Sequence, residues 1–160
     1  MTSNYFTYDK GKTLQALRFH FITRKEIKIM LILVNIFSLL SAGLFFFKKV
    51  TPQAFLISTV LWLSLMLLFW FIMPRMVYKK AQTFKDSFKA HLSDTEFALE
   101  NERGRKGWAW TEFSSFMESP HFYHLYFNPR SFFIIPKDAF DGDNVHTARG
   151  IFKEKIKASS

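Results

Sequence analysis

Two uncharged hydrophobic runs dominate the chain, Ile29–Phe47 and Pro52–Pro74, separated only by Lys48, Lys49, Val50 and Thr51. A transmembrane helix needs about 20 mostly apolar residues at ~1.5 Å rise each. Each run meets that length, and the link between them allows only a tight turn. The pattern predicts a transmembrane helical hairpin over 29–74, with spans 29–47 and 52–74. Within the first span Asn35, Ser38 and Ala42 fall on one helical face. Small and weakly polar side chains let helices approach closely and hydrogen-bond, so this face is expected to pack against another helix. The second span offers Ser58, Thr59 and Ser64, and neither span contains an ionisable residue.

Outside the spans the period changes twice. Residues 1–28 form a lead-in: a β-prone run at Asn4–Tyr8, a turn at Asp9-Lys10-Gly11, and a helix over Leu14–Phe21 capped by Thr13. Trp70 is placed as an interfacial anchor, and Pro74 is expected to mark the exit from the second span. Val77, Ala81, Phe84, Phe88 and Leu92 then recur at spacings of four and three, which predicts a juxtamembrane amphipathic helix over 75–92. From 93 to 160 the pattern becomes alternating. Strands are expected at Thr95–Glu100, Lys106–Trp110, Phe113–Met117, His121–Phe127 and Ser131–Ile135, with a hairpin turn at Glu102-Arg103-Gly104-Arg105. Trp108 and Trp110 are expected on one strand face. A last helix is predicted from about Asp143 to Lys157, with Val145, Ala148, Phe152 and Ile156 on one stripe. The fold class is therefore an α+β membrane protein: a helical hairpin followed by a small antiparallel β-sheet domain closed by a C-terminal helix.

Charge decides sidedness. The net charge is +9, but residues 1–28 carry +4, the turn +2, residues 75–89 +4, and the remainder −1. The surplus flanks the spans and leaves the β-rich domain nearly neutral, which argues against a nucleic-acid partner. Lys and Arg accumulate on cytoplasmic loops, so both termini are expected in the cytoplasm. Ser41-Ala42-Gly43 loosely matches a signal-peptide cleavage site. A leader of 28 residues and a second full span argue against cleavage. With no Cys among the 160 residues, disulfides, thiolate nucleophiles and Cys-based zinc sites are excluded.

Reaction chemistry is sparse. None of His20, His91, His121, His124 and His146 makes an i,i+4 metal pair. His121 and His124 are three apart on a strand and so face opposite sides. Asp141-Gly142-Asp143-Asn144 lacks the downstream acid of a calcium loop and is expected to cap the last helix. No nucleophile elbow, phosphate loop or His-Glu-x-x-His occurs. No catalytic residue, metal or cofactor is expected. Arg103, Arg105 and Lys106 form the only basic cluster of the β-rich domain. They are candidates to hold an anionic headgroup or a partner, set against Glu100 and Glu102, which blunt the local potential.

The run Leu99-Glu100-Asn101-Glu102-Arg103-Gly104-Arg105, then Trp108-x-Trp110-x-x-Phe113, then Tyr126-Phe127, and finally Phe132-Phe133-Ile134-Ile135-Pro136-Lys137-Asp138-Ala139-Phe140, resembles the C-terminal domain of YcxB-like membrane proteins. The order of a short N-terminal region, two spans and a β-rich domain is also similar. The resemblance implies a pleckstrin-homology-like fold and no enzyme activity. About seven strands would complete such a fold. Five are found after Leu92, and Asn4–Tyr8 is a candidate for another at the sheet edge. The expected role is an inner-membrane protein of a bacterial cell that scaffolds or regulates a membrane partner. The alternative is a transporter accessory subunit or a small oligomeric transport protein. Expected partners are the lipid bilayer and a membrane protein or a second copy of the chain.

Overall fold

The computed structural model describes residues 1–156. The expected helix end at Lys157 and the end of the domain at 160 lie outside the described residues. The chain divides into two compact units, one of Met1–Ala16 with the chain from Ala81 onward, the other of Leu17–Lys80. Residues 1–28 are thus shared between the two units. Helix α1 spans Lys10–Thr23 and contributes to both units. It starts earlier than the expected Leu14. The Asp9 carboxylate accepts from the Lys12 N–H at 2.8 Å and its carbonyl from the Thr13 N–H at 2.9 Å, so Asp9 caps the first turn. Thr13 lies one turn inside and is fully buried.

In the second unit α2 (Lys25–Phe46) and α3 (Pro52–Leu67) form the hairpin. The turn between them is built from both ends. The Lys49 N–H reaches the Leu44 carbonyl and the Lys48 N–H the Phe45 carbonyl, with Lys48 at φ 56°, a Schellman closure on a non-glycine residue. Thr51 then accepts from the Ala54 N–H, and Pro52 occupies the first turn, where its missing N–H is not needed. Leu31, Val34, Ser38 and Ser41 of α2 are partly covered, at the three- and four-residue spacing of a helix seam. Outward, Phe37 is 71% and Phe46 80% exposed. The stretches Lys25–Phe46 and Pro52–Lys80 are each long and apolar enough to cross a membrane.

The helix of the second span runs on past Pro74. A π turn at Leu68–Ile72 leads into α4 (Met73–Lys80), and Pro74 lies inside that helix. The wider turn accommodates a proline that has no N–H to give the carbonyl four residues back. The amphipathic helix expected over 75–92 is also corrected. α4 stops at Lys80, a 3₁₀ turn covers Gln82–Lys85, and Lys89–Leu92 is strand β1. Positions 84, 88 and 92 are four apart, and four is a multiple of two, so the same spacing suits a strand. The burial of Phe88, Ala90 and Leu92, with Lys89 and His91 less covered, decides for period two.

The first unit holds two antiparallel three-stranded sheets, β1-β2-β3 and β4-β5-β6. The remaining strands are β2 (Glu96–Asn101), β3 (Gly104–Ala109), β4 (Ser115–Glu118), β5 (Phe122–Asn128) and β6 (Ser131–Pro136), followed by helix α5 (Asn144–Lys155). The β2–β3 hairpin closes at Asn101 and Gly104, whose φ of 136° a side chain would strain. The N-terminal residues run along the free edge of β1. Met1 and Leu92 exchange both bonds, the Ser3 N–H donates to the Ala90 carbonyl at 2.8 Å, and Phe6 and Phe88 pair again. At the irregularity between those pairs, the Ser3 hydroxyl accepts the Ala90 N–H at 2.8 Å in place of a carbonyl.

Aromatic packing forms the core. Phe97 meets Trp110, Phe113 and Phe152 at ring distances of 6.1, 5.9 and 6.3 Å, and Phe152 meets Tyr123 at 5.2 Å. As expected, Ala148 and Phe152 are buried on one face of α5, Val145 is partly covered, and Ile156 is buried just past the helix end, where the chain is already extended. Trp110 differs from expectation. β3 ends at Ala109, and Trp110 turns inward on a 3₁₀ turn, its indole N–H donating to the Ser93 carbonyl at 3.0 Å. Nor do carboxylates cap α5. The Asp143 side chain makes no cap bond, and Asp141 instead accepts from the Asn4 side chain at 2.6 Å.

Candidate functional site

Strand β3 is the outer strand of its sheet and carries two of the three basic candidates. Successive residues on a strand face opposite ways. Arg105 accordingly lies on the polar face, 3.0 Å from the Glu96 carboxylate. Lys106 lies on the aromatic face, its ammonium 5.4 Å from the centre of the Trp108 ring. Arg103, in the turn, is 3.6 Å from Asp86. The acids that meet the arginines are thus Asp86 and Glu96, and not the expected Glu100 and Glu102. Among the described residues Lys106 has no carboxylate partner. The Glu96 side chain lies so close over Gly107 that a Cβ there would collide with it.

Lys106 and Trp108 border a cleft of ≈ 370 Å³. Phe88, Leu99 and Phe133 line its apolar part, and Thr83, Asn101 and Arg103 its polar rim. Trp108 is held edge-on against Phe133 at 4.8 Å. The cleft combines an apolar floor with cations at its rim, the arrangement that accepts an amphipathic, negatively charged group.

On the opposite face His91 and Glu100 make a 2.7 Å contact, and the Tyr5 hydroxyl donates to Glu100 at 3.3 Å. The His91 bond, more than the opposing effect of desolvation, holds the Glu100 carboxyl below its usual range. Thr2 Oγ1 stands 3.4 Å from His91 Nδ1, so hydroxyl, imidazole and carboxylate are in line. The hydroxyl contact is long and exposed, and the chain reads as a strap that ties the N-terminal residues to β1 and β2. A second network joins β4 to α5. Glu118 is 2.6 Å from Lys137 and 2.5 Å from Arg149. Burial acts to raise the Glu118 pKa, and the bonds from Lys137 and Arg149 outweigh it, so the carboxyl titrates low. The Pro136–Phe140 segment is accounted for in the same way: Asp138 pairs with Lys12 at 2.7 Å, and the Ala139 carbonyl accepts from the Asn4 N–H. His121 is exposed and His124 fully buried, its Nε2 2.9 Å from Ser119 Oγ. Among the described residues no set of three or more His, Asp and Glu converges as a metal site.

On the hairpin, Trp62 donates to Asn35 at 3.2 Å across the helix pair, and Asn35 donates to its own Leu31 carbonyl at 2.7 Å. Ser38 lines an apolar groove with Ser58 and Trp62. Ala42 is exposed, and its neighbour Ser41 makes the cross-helix bond, to Ser58 at 2.7 Å. One residue went unnoticed in the sequence. Arg18 donates from Nε to the Trp70 carbonyl at 3.0 Å, the carbonyl that Pro74 leaves without its helical donor. A proline 56 positions away is no signal that a sequence reading would connect to an arginine.

Residues 92–150 match the family model described as YcxB-like protein. That segment runs from the end of β1 into α5 and contains the Lys106–Trp108 border of the cleft. No curated protein and no solved structure matches the chain.

Proposed function

We propose that this membrane protein is an adaptor, which uses a pleckstrin-homology-like domain at the cytoplasmic face of a bacterial inner membrane to hold an acidic segment of a partner membrane protein. The match of 92–150 to YcxB-like proteins and the two span-length apolar helices support a membrane protein carrying such a domain. Six strands in two sheets, N-terminal residues bridged to the edge of β1 and a closing helix support the pleckstrin-homology-like reading. The observation that carries the reading is the cleft beside β3, with Lys106 unopposed above Trp108. The outer backbone edge of β3 can pair an extended segment, and the cations favour an acidic one. The role is binding, with no chemical step of its own. Transport is the weaker reading, since Asn35, Ser41, Ser58, Thr59 and Ser64 are all bonded within the hairpin.

A photocrosslinker at Trp108 in the full-length protein, activated in intact membranes, is expected to yield a discrete protein adduct that Lys106→Glu abolishes. The same crosslinker at exposed His121 is expected to yield none. Labelling of lipid alone, or an adduct indifferent to Lys106→Glu, overturns the adaptor reading. Sidedness is read separately by reporter fusions at Lys49 and the C-terminus. A reporter active in the cytoplasm at Lys49 overturns the orientation.

A further inference from the structure

The Leu17–Lys80 unit holds a second cavity, of ≈ 350 Å³, independent of the cleft beside β3. Phe21 and Ile27 line one side, and Leu63, Met66, Trp70 and Phe71 the other. Its volume is in the range of small-molecule sites, about 300–1,000 Å³. Two guanidinium groups lie against the aromatic rings that border it. Arg18 stacks 5.5 Å from the centres of both the Trp70 and Phe71 rings, and Arg75 stacks 5.4 Å from Phe71. Neither arginine has a carboxylate partner among the described residues. Arg18 spends Nε on the Trp70 carbonyl, which fixes the guanidinium plane and leaves both terminal nitrogens to bind an anion.

Position along the helix identifies the anion. Phe71 follows Pro52 by 19 residues, about 28 Å of helix at ~1.5 Å per residue. The hydrocarbon core is about 30 Å thick, so with the Lys48–Thr51 turn at one face, Phe71 and its two arginines reach the headgroup level of the other. A largely apolar cavity bordered by Trp70 and Phe71, with a guanidinium group against each of those rings at this depth, matches one kind of molecule. We infer that the unit binds an anionic phospholipid, its headgroup phosphate held by Arg18 and Arg75 and part of an acyl chain lying in the Phe21–Met66 cavity. Guanidinium binds phosphate through paired hydrogen bonds, and the aromatic faces beneath hold both cations in place.

The test is native mass spectrometry of the full-length protein in detergent, given phosphatidylglycerol and phosphatidylcholine with identical acyl chains. Phosphatidylglycerol is expected to be retained about tenfold over phosphatidylcholine, and Arg75→Gln to erase that preference. Arg18→Gln is expected to do the same. Because Arg18 also serves the Trp70 carbonyl, Arg75→Gln keeps the test valid should Arg18→Gln misfold, since the Arg75 side chain makes no hydrogen bond among the described residues. Met66→Trp, which fills the cavity, is expected to lower retention of both lipids. Equal retention of the two lipids, or phosphatidylglycerol retention unchanged in Arg75→Gln, overturns the inference. So does indifference to Met66→Trp, or displacement of the lipid by inorganic phosphate at equal concentration, either of which reduces the site to a bare anion contact. None of these outcomes depends on an adduct at Trp108.

Discussion

Phenylalanine behaves oppositely in the two units. Phe97 and Phe152 are fully buried in the first, whereas Phe37 and Phe46 on the hairpin are 71% and 80% exposed. The polar groups reverse as well. The β unit turns Arg105, Glu96, His91 and Glu100 outward, and the hairpin turns Ser41, Ser58 and Trp62 toward its own seam. Each unit is sorted against a different solvent. Water drives apolar area inward at about 25 cal/mol per Å². Hydrocarbon offers no such drive and leaves polar side chains as the groups that must find partners.

The largest effect expected from this contrast is at Phe152. Phe152→Ala should destabilise the β unit by about 4 kcal/mol, whereas Phe46→Ala should leave hairpin stability in detergent within about 0.5 kcal/mol. Denaturation of the two variants side by side checks it, and equal losses would break the comparison. The next effect lies outside both spans. Burial, aided by the nearby Arg24 charge, lowers the His20 pKa to about 4. His20 therefore stays neutral in the folded chain while the unfolded chain protonates. Stability is complete above about pH 6.5 and falls as pH drops toward 4, by up to about 3 kcal/mol. His20→Gln should flatten the thermal midpoint over that window. The low-titrating Glu118 acts separately, since its contribution is lost only as pH falls below the ordinary carboxylate range.

Smaller effects sharpen the contrast within the hairpin. Trp62→Phe removes the bond to Asn35 and should weaken helix pairing by about 1 kcal/mol, and Ser41→Ala by about 0.6 kcal/mol, measured by steric trapping in bilayers. Lys48 occupies the left-handed region at the turn, so Lys48→Gly should stabilise the hairpin by about 0.5 kcal/mol, the smallest of these shifts.

Composition and period alone were sufficient for the two long apolar helices, the tight turn at Lys48–Thr51, the β2–β3 hairpin, whose turn was expected at Glu102–Arg105 and closes at Asn101 and Gly104, and most of the stripe of α5. Each depends on a run of local residues, and lipid or core imposes one solvent along the whole run. Alternation along β3 already implied that Arg105 and Lys106 part to opposite faces, although their adjacency suggested a single cluster. Tertiary structure decided the rest. The spacing of Phe84, Phe88 and Leu92 satisfies helix and strand equally, and only pairing with Phe6 and with β2 selects the strand. Pro74 reads as a helix end until a π turn and Arg18 are seen to meet the backbone need it creates. Which acids meet Arg103 and Arg105 follows from the register of the β2–β3 hairpin and the turn before β1, and the Phe133 ring that holds Trp108 beneath Lys106 comes from far along the chain. Local periodicity carries the solvent each segment meets, while long-range partners are set by which backbone and charged groups the fold leaves unsatisfied.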